Sequence, residues 1–214
     1  YYLLTFLLIP VMFYLVKKYR PDIIISNLVG YVPNLIKIFI NVKVINSIQG
    51  LPRFNYLRKI IWKLFYSNSN HILTMTNLTK KMIASDFELS SESITKVDNP
   101  IISRNIINLS NEEIENELKP IFQNDVFCSI GRLTRQKNYY ELIDGFNSFI
   151  KKTKKKINLV IIGEGELKKD ILKYVKKNNI TSCYLIGFKS NPYKYLKRSK
   201  LFISTSLWED PGHT

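Results

Sequence analysis

Short, nearly uninterrupted apolar runs alternate along this chain with amphipathic stretches of helical length, and that alternation limits the fold more than any other feature. The runs are IIIS (23–26), VKVINSI (42–48), HILTMT (71–76) and ITKVDNPI (94–101), then VFCSIG (126–131), NLVIIG (158–163), CYLIGF (183–188) and LFISTS (201–206). Continuous runs of this length are typical of strands buried on both faces of a parallel sheet. Between them, VPNLIKIF (32–39) is helical in pattern. Leu57, Ile60, Ile61, Leu64 and Phe65 share one helical face, and Asn77 is placed to cap a helix running to about Phe87. In the second half, Leu142, Ile143, Phe146, Phe149 and Ile150 share a face, as do Leu167, Ile171, Leu172 and Val175, and a short helix is expected over 193–198. Strands alternating with such helices imply βαβ units and a sheet covered on both faces. At ~150 residues per domain, 214 residues allow one to two domains. From Ser103 to Asn124 the apolar period fades into Asn, Ser and Glu, so the boundary is expected there: a first domain over 1–105, a linker over 106–124 and a second domain over 125–214.

The first 16 residues carry no charge and are followed by Lys17, Lys18 and Arg20. A bilayer crossing needs ~20 apolar residues, and Pro10 interrupts this run. The segment therefore reads as a buried helix, with a membrane-inserted or interfacial helix as the alternative. Tyr1 stands where a Met would begin a chain, and 210–214 show no helix-ending signal, so both ends read as cut. Thirty-two basic against 17 acidic residues leave a net charge of +15. That favours an anionic partner: nucleotide, nucleic acid or acidic membrane surface. Cys128 and Cys183 both fall inside strand-like runs and are expected as buried, reduced thiols, in keeping with a reducing compartment.

Ligands of open α/β sheets gather beyond the carboxyl ends of the strands, so the residues that follow each run bear the chemistry. After 126–131 comes GRLTRQKN, where Gly131 allows a sharp exit and Arg132, Arg135 and Lys137 precede a helix, a pattern suited to a phosphate. After 158–163 come Gly163, Glu164 and Gly165; Lys168 stands where a dinucleotide fingerprint needs its third glycine, so an NAD-type site is not expected. After 201–206 comes LWEDPGH, which places Glu209 at a strand end and lets backbone amides near Gly212 face an anion.

In this order and spacing, GRLTRQKN, NLVIIGEGELKKDI, CYLIGF and LFISTSLWEDPGH resemble the nucleotide-binding half of retaining glycosyltransferases of the group 1 family. This is the large GT-B-fold set that includes enzymes of bacterial polysaccharide and lipopolysaccharide synthesis. The similarity is strong over 126–214 and weaker in the first half, where RPDIIISN, VINSIQG and ITKVDNPI resemble the later part of the acceptor-side domain. It implies two Rossmann-like parallel-sheet domains, both incomplete in this chain. It also implies that Arg132 and Lys137 grip the donor diphosphate, and that Glu209 is the first carboxylate of a paired motif contacting the donor sugar. The second carboxylate would fall beyond Thr214. By the same resemblance, Gly131, Gly163 and Gly165 lie at the donor-facing strand ends, Phe188 and Lys189 along the nucleotide base, and Gly212 and His213 near the phosphate. Gln49 and Gly50 stand near the transferred sugar on the acceptor side, where the Gln departs from the family's usual residue.

The expected activity is transfer, with retention of configuration, from a nucleotide-diphosphate sugar of unspecified base to a glycan or lipid-linked acceptor in surface polysaccharide synthesis. No Asp-x-Asp motif is present, so no metal and no cofactor are expected. Fixed cations at the leaving diphosphate replace the metal; removing one such donor typically costs on the order of 3 kcal/mol of barrier. As a piece of a longer enzyme lacking a closed cleft, the chain alone is expected to have little activity. The apolar first segment and the basic helix over 53–63 point to a cytoplasmic protein held peripherally on the anionic inner face of the membrane. The alternatives are another GT-B sugar-nucleotide enzyme such as an epimerase, or a basic nucleic-acid-binding module. Most aromatics fall on core faces and do not interleave with exposed cations, which argues against a nucleic-acid partner.

Overall fold

A computed structural model describes residues 2–27, 30–50, 56–98 and 105–209, with the side chains of 2–6, 57 and 58 outside that description. The chain divides into two compact units, Tyr1–Pro100 and Ile101–Thr214.

The first unit contains α1 (Tyr2–Tyr19), β1 (Ile23–Ser26), α2 (Tyr31–Ile36), β2 (Lys43–Ile48), α3 (Tyr56–Tyr66), β3 (His71–Thr74), α4 (Asn77–Phe87) and β4 (Ile94–Lys96). Its four strands are parallel and lie in sequence order β1-β2-β3-β4. Right-handed crossovers between sequential neighbours place α2, α3 and α4 on a single face. Under that face Ile48, Tyr66, Ile72, Ile83, Phe87 and Ile94 form the core, while Val16, Val32 and Ile36 join α1 to α2.

Several expectations change here. The helix α1 runs straight through Pro10, and it is not a buried helix: Leu7 is 69% exposed, Val11 and Tyr14 are also exposed, and only Val16 is buried among its described side chains. It packs along one side against α2, so a run that is apolar all round keeps an apolar outer face. Among the described residues no helix is long and apolar enough to cross a membrane. The IIIS strand is also not sandwiched, because β1 is an edge strand with Ile25 63% exposed. On α3 the buried face is turned from the expected one. Trp62 stacks on Tyr66 with ring centroids 4.6 Å apart and both rings lean on Phe87, leaving Ile60 and Leu64 outside. The larger rings bury more apolar area than the aliphatic stripe, which decides the rotation. Thr76, not Asn77, caps α4, its hydroxyl accepting from the Thr79 N–H at 3.0 Å.

The second unit contains α5 (Ile106–Asn111), a 3-10 turn (Lys119–Gln123), β5 (Asp125–Ile130), a second 3-10 turn (Arg135–Lys137), α6 (Tyr139–Thr153), β6 (Ile157–Ile162), α7 (Lys168–Lys177), β7 (Cys183–Leu185), α8 (Tyr193–Lys197) and β8 (Leu201–Phe202). Again all strands are parallel, but the order is β7-β6-β5-β8. The chain moves outward through β6 and β7, then returns to place β8 on the far side of β5. That reversal covers both faces. One carries Leu142, Ile143, Phe146, Leu159, Ile161 and Ile171; the other carries Ile114, Val126, Cys128, Val160, Ile162 and Tyr195. Every residue of β6 is buried.

Residues 106–124 are not a free linker. Ile114 is in the second unit's core, and the Asn158 side-chain amide donates to the Ile121 carbonyl at 2.7 Å. Both cysteines are free and buried, and burial pushes each thiol up to about 12, so neither is a ready thiolate. Leu172, expected on the inner face of α7, is exposed.

Candidate functional site

The reversal of strand order in the second unit leaves a crevice outside the carboxyl ends of β5 and β8, where open α/β sheets bind ligands. Two exits face each other there. The 3-10 turn after β5 is stitched to the segment after β8: the Leu207 N–H donates to the Gln136 carbonyl at 2.9 Å, the Gln136 side-chain amide donates to the Trp208 carbonyl at 2.9 Å, and the Thr205 hydroxyl donates to the Lys137 and Asn138 carbonyls at 3.2 Å each. The stitching delivers the Lys137 ammonium to the Glu209 carboxylate at 2.5 Å, with the Lys137 side chain only 14% exposed. Asn138 closes the turn in the left-handed conformation (φ 53°), which Asn tolerates better than most residues, and α6 begins directly after it. The Tyr139 hydroxyl donates to the Gly131 carbonyl at 3.1 Å, and burial pushes this phenol up to about 12, so it remains a protonated donor.

Glycine allows the exits of β5 and β6 to run backbone against backbone. A Cβ on Gly163 would lie 2.0 Å from the Gly131 carbonyl oxygen, and one on Gly165 would lie 2.5 Å from the Leu133 carbonyl oxygen. The Leu133 N–H donates to the Glu164 carbonyl at 2.8 Å and the Gly163 N–H to the Gly187 carbonyl at 2.9 Å, continuing the ladder past the strands. The floor is thus bare main chain. Above it opens a groove of about 680 Å³ lined by Gly131, Arg132, Gly163, Glu164, Phe188, Lys189, Ser190 and Tyr193, among others. Arg132 and Phe188 are exposed at its edge, Phe188 at 72%.

Of the residues expected from sequence, Gly131, Arg132, Gly163, Phe188 and Lys189 meet in this groove, and Lys137 and Glu209 meet at the β5–β8 crevice. Gly165 does not face the groove and serves the close approach to Leu133. Gln49 and Gly50 belong to the first unit, where they follow β2 directly with Gln49 exposed. Gly212 and His213 lie outside the described residues. Sequence reading missed Gln136 and Thr205, which brace the turn, and Ser190 and Tyr193, which line the groove. The Ser-Asn-Pro run after Lys189 was the available signal, since such a run marks a loop at a strand exit. A larger hollow of about 820 Å³ in the first unit, lined by Lys17, Arg20, Asp22 and Lys43 among others, opens at the amino ends of β1 and β2. Parallel sheets do not use that end for ligands. Among the described residues no group of three or more His, Cys, Asp or Glu side chains could hold a metal ion.

Comparison with known proteins fits this geometry. Residues 110–214 match the family described as "Glycosyl transferases group 1". An uncharacterized glycosyltransferase of Methanocaldococcus jannaschii is 34% identical over 94% of this chain and 53% of its own length. The N-acetylgalactosamine-N,N'-diacetylbacillosaminyl-diphospho-undecaprenol 4-alpha-N-acetylgalactosaminyltransferase of Campylobacter jejuni is 32% identical over 73% of this chain and 40% of its own length. The chain thus spans about half the length of the curated relatives it matches. Among solved structures, Anabaena HepE in complex with UDP superposes with a TM-score of 0.76 over 95% of this chain and 58% of its own, at 14% identity, a likeness of GT-B fold.

Proposed function

The chain belongs to the group 1 glycosyltransferases, and from that premise we propose that its second unit binds the diphosphate of a nucleotide sugar, which the whole protein transfers to an acceptor with retention of configuration. The observation that carries this reading is the Lys137–Glu209 pair across the β5–β8 crevice, beside a groove bordered by Arg132. Breaking the bond between sugar and diphosphate builds negative charge on the leaving group. Arg132 at the groove edge and Lys137 on the stitched turn stabilise it as fixed-charge donors. Lys137 is paired with Glu209. A bound diphosphate shares the ammonium with Glu209, and the Glu209 carboxylate orients the hydroxyls of the sugar. Its role is orientation: the acceptor oxygen bonds to the anomeric carbon on the face the diphosphate leaves, as the sugar–diphosphate bond breaks, and the acceptor's proton passes to the departing phosphate oxygen. The two cations supply the electrostatic stabilisation, so metal independence is part of the proposal. The bare floor of Gly131 and Gly163 lets the donor lie against main chain.

The UDP held by Anabaena HepE supports a nucleoside diphosphate as ligand, and the name of the Campylobacter relative supports a diphospho-lipid acceptor. Attachment to the inner membrane face rests on the exposed apolar residues Leu7, Val11 and Tyr14 of α1, which end at Lys17 and Lys18. The helix α3 contributes less than its composition implies, because Lys59 and Lys63 are paired with Asp86 and Glu88 at 2.6 and 2.5 Å. Sedimentation with vesicles, with and without anionic lipid and at two salt concentrations, checks this attachment. Indifference to both variables removes it.

A thermal-shift panel of nucleoside diphosphates and nucleotide sugars against this chain tests the main reading. Saturable stabilisation by a diphosphate, lost on Arg132→Ala or Lys137→Ala, is expected; no response to any member of the panel defeats it. Turnover compared between this chain and a longer polypeptide then tests the proposal that the chain alone has little activity.

A further inference from the structure

We propose that Glu115, in the segment that precedes the second sheet, is a positioning residue for the groove, holding Lys189 on its wall; the inference rests on the donor-binding reading above. Both carboxylate oxygens of Glu115 accept from the Tyr195 hydroxyl, at 2.7 and 2.6 Å, and the Lys189 ammonium lies 3.2 Å from Oε1, with Lys194 at 3.6 Å from Oε2. Tyr195 is fully buried and provides the rigid post. Both ammonium groups also sit over its ring, Lys189 at 5.8 Å and Lys194 at 5.4 Å from the centroid. One carboxylate therefore fixes two lysines and a phenol that come from the opposite end of the unit's sequence.

The grip is not confined to Glu115. The Asn191 side-chain amide donates to the Leu109 carbonyl and to Glu112, at 2.8 Å each, and Lys197 is bonded to Asn111. Segment 105–115 thus holds the 189–198 stretch from behind while Lys189, Ser190 and Tyr193 face the groove. Burial alone would raise the Glu115 carboxyl, but the Tyr195 hydroxyl, its own backbone and Lys189 together hold it down to about 2, so it is charged whenever the enzyme works. Without that charge, two ammonium groups share a buried phenol with no counter-ion, and Lys189 loses the partner that fixes its long, rotamer-rich side chain. A ligand must then pay the ordering cost on binding.

Titration calorimetry of the full chain with UDP, GDP and ADP tests this, using Glu115→Gln, Glu115→Asp, Lys189→Ala and the Glu115→Gln/Lys189→Ala pair. For the diphosphate bound tightest, Glu115→Gln is expected to weaken affinity by about five- to tenfold, the scale of one charge-assisted contact partly lost. Glu115→Asp, which restores the charge, should recover part of that loss. The effect of Glu115→Gln should vanish in the Lys189→Ala background, because a residue acting through Lys189 has nothing left to position. Equal affinity of Glu115→Gln and wild type, or a loss undiminished in Lys189→Ala, overturns the proposal while leaving donor binding intact. If melting curves show Glu115→Gln unfolded, the same cycle is run with Glu115→Asp, and a loss that survives Lys189→Ala overturns the proposal there too. Failure of wild type to bind any of the three diphosphates is a different result, which removes the donor-binding reading and this inference with it.

Discussion

Among the described residues the two sheets of this protein are both parallel and four-stranded, yet only the second reverses its strand order. In the first unit the strands follow sequence order, the crossovers fall on one face, and the edge strand β1 leaves Ile23 and Ile25 exposed. In the second unit the order reverses at β5, both faces are covered, and the exits of β5 and β8 are brought side by side. The difference shows that a βαβ alternation specifies a class of sheet but not a site. Here the site comes from one change of direction. It also shows why cations alone are poor evidence: the first unit's hollow is lined by Lys17, Arg20 and Lys43, but it opens at the amino ends of the strands.

The largest effect that could break this contrast is on ligand binding. Arg132→Ala or Lys137→Ala is expected to weaken a nucleoside diphosphate by about 10- to 100-fold, the loss of one charge-assisted hydrogen bond, while Lys43→Ala leaves binding unchanged. Calorimetry on the three variants measures it, and an equal loss in Lys43→Ala would erase the distinction between the two ends of the sheets. Next is the close approach of main chains. Gly163→Ala pushes a methyl into the Gly131 carbonyl and should cost about 3 kcal/mol of stability, whereas Gly30→Ala, whose Cβ meets the side-chain ends of Asn46 and Tyr66 at 2.5 Å, should cost about 1–2 kcal/mol. Urea unfolding of the two variants sharpens the comparison, and the reverse order would show that backbone packing does not set the second unit apart.

A smaller effect concerns acid. The Glu115 carboxyl has an ordinary value of 4.5 and is held at about 2 in the fold, so the unfolded chain takes up the proton first as pH falls. The stabilising contribution is complete above 4.5 and is lost as pH falls towards 2. Stability of Glu115→Gln should therefore fall less steeply than that of wild type across this window, as read from melting temperatures; parallel curves would remove the assignment. The smallest effect is expected on the outer face of α3, where Ile60→Ser and Leu64→Ser should change stability by less than ~0.5 kcal/mol. Trp62→Ala should cost about 3 kcal/mol or more. Thermal melts of the three variants check the rotated face.

Much of the fold could be read from the chain alone because burial leaves a periodic trace. The order of strands and helices, the buried thiols of Cys128 and Cys183 and the basic turn of Arg132 to Lys137 all follow from which residues water rejects or accepts. The errors are equally physical. An apolar run states that a segment can be buried, not how many layers will cover it, so α1 and β1 were expected deeper than they lie. A helical stripe of Leu and Ile also lost to aromatic rings that bury more area, so α3 turned.

What the sequence determined by itself was an α/β chain of two parallel-sheet units with cations and glycines at the strand exits, because those depend on local pattern and on the steric needs of single residues. Only the tertiary structure decided that Lys137 meets Glu209 across 72 positions of sequence, and that Glu115 meets Tyr195 across 80. Such pairings depend on which strand lies beside β5 and which segment covers the sheet's second face. Those choices are set by the packing of distant surfaces and leave no periodic mark in the residues that result from them.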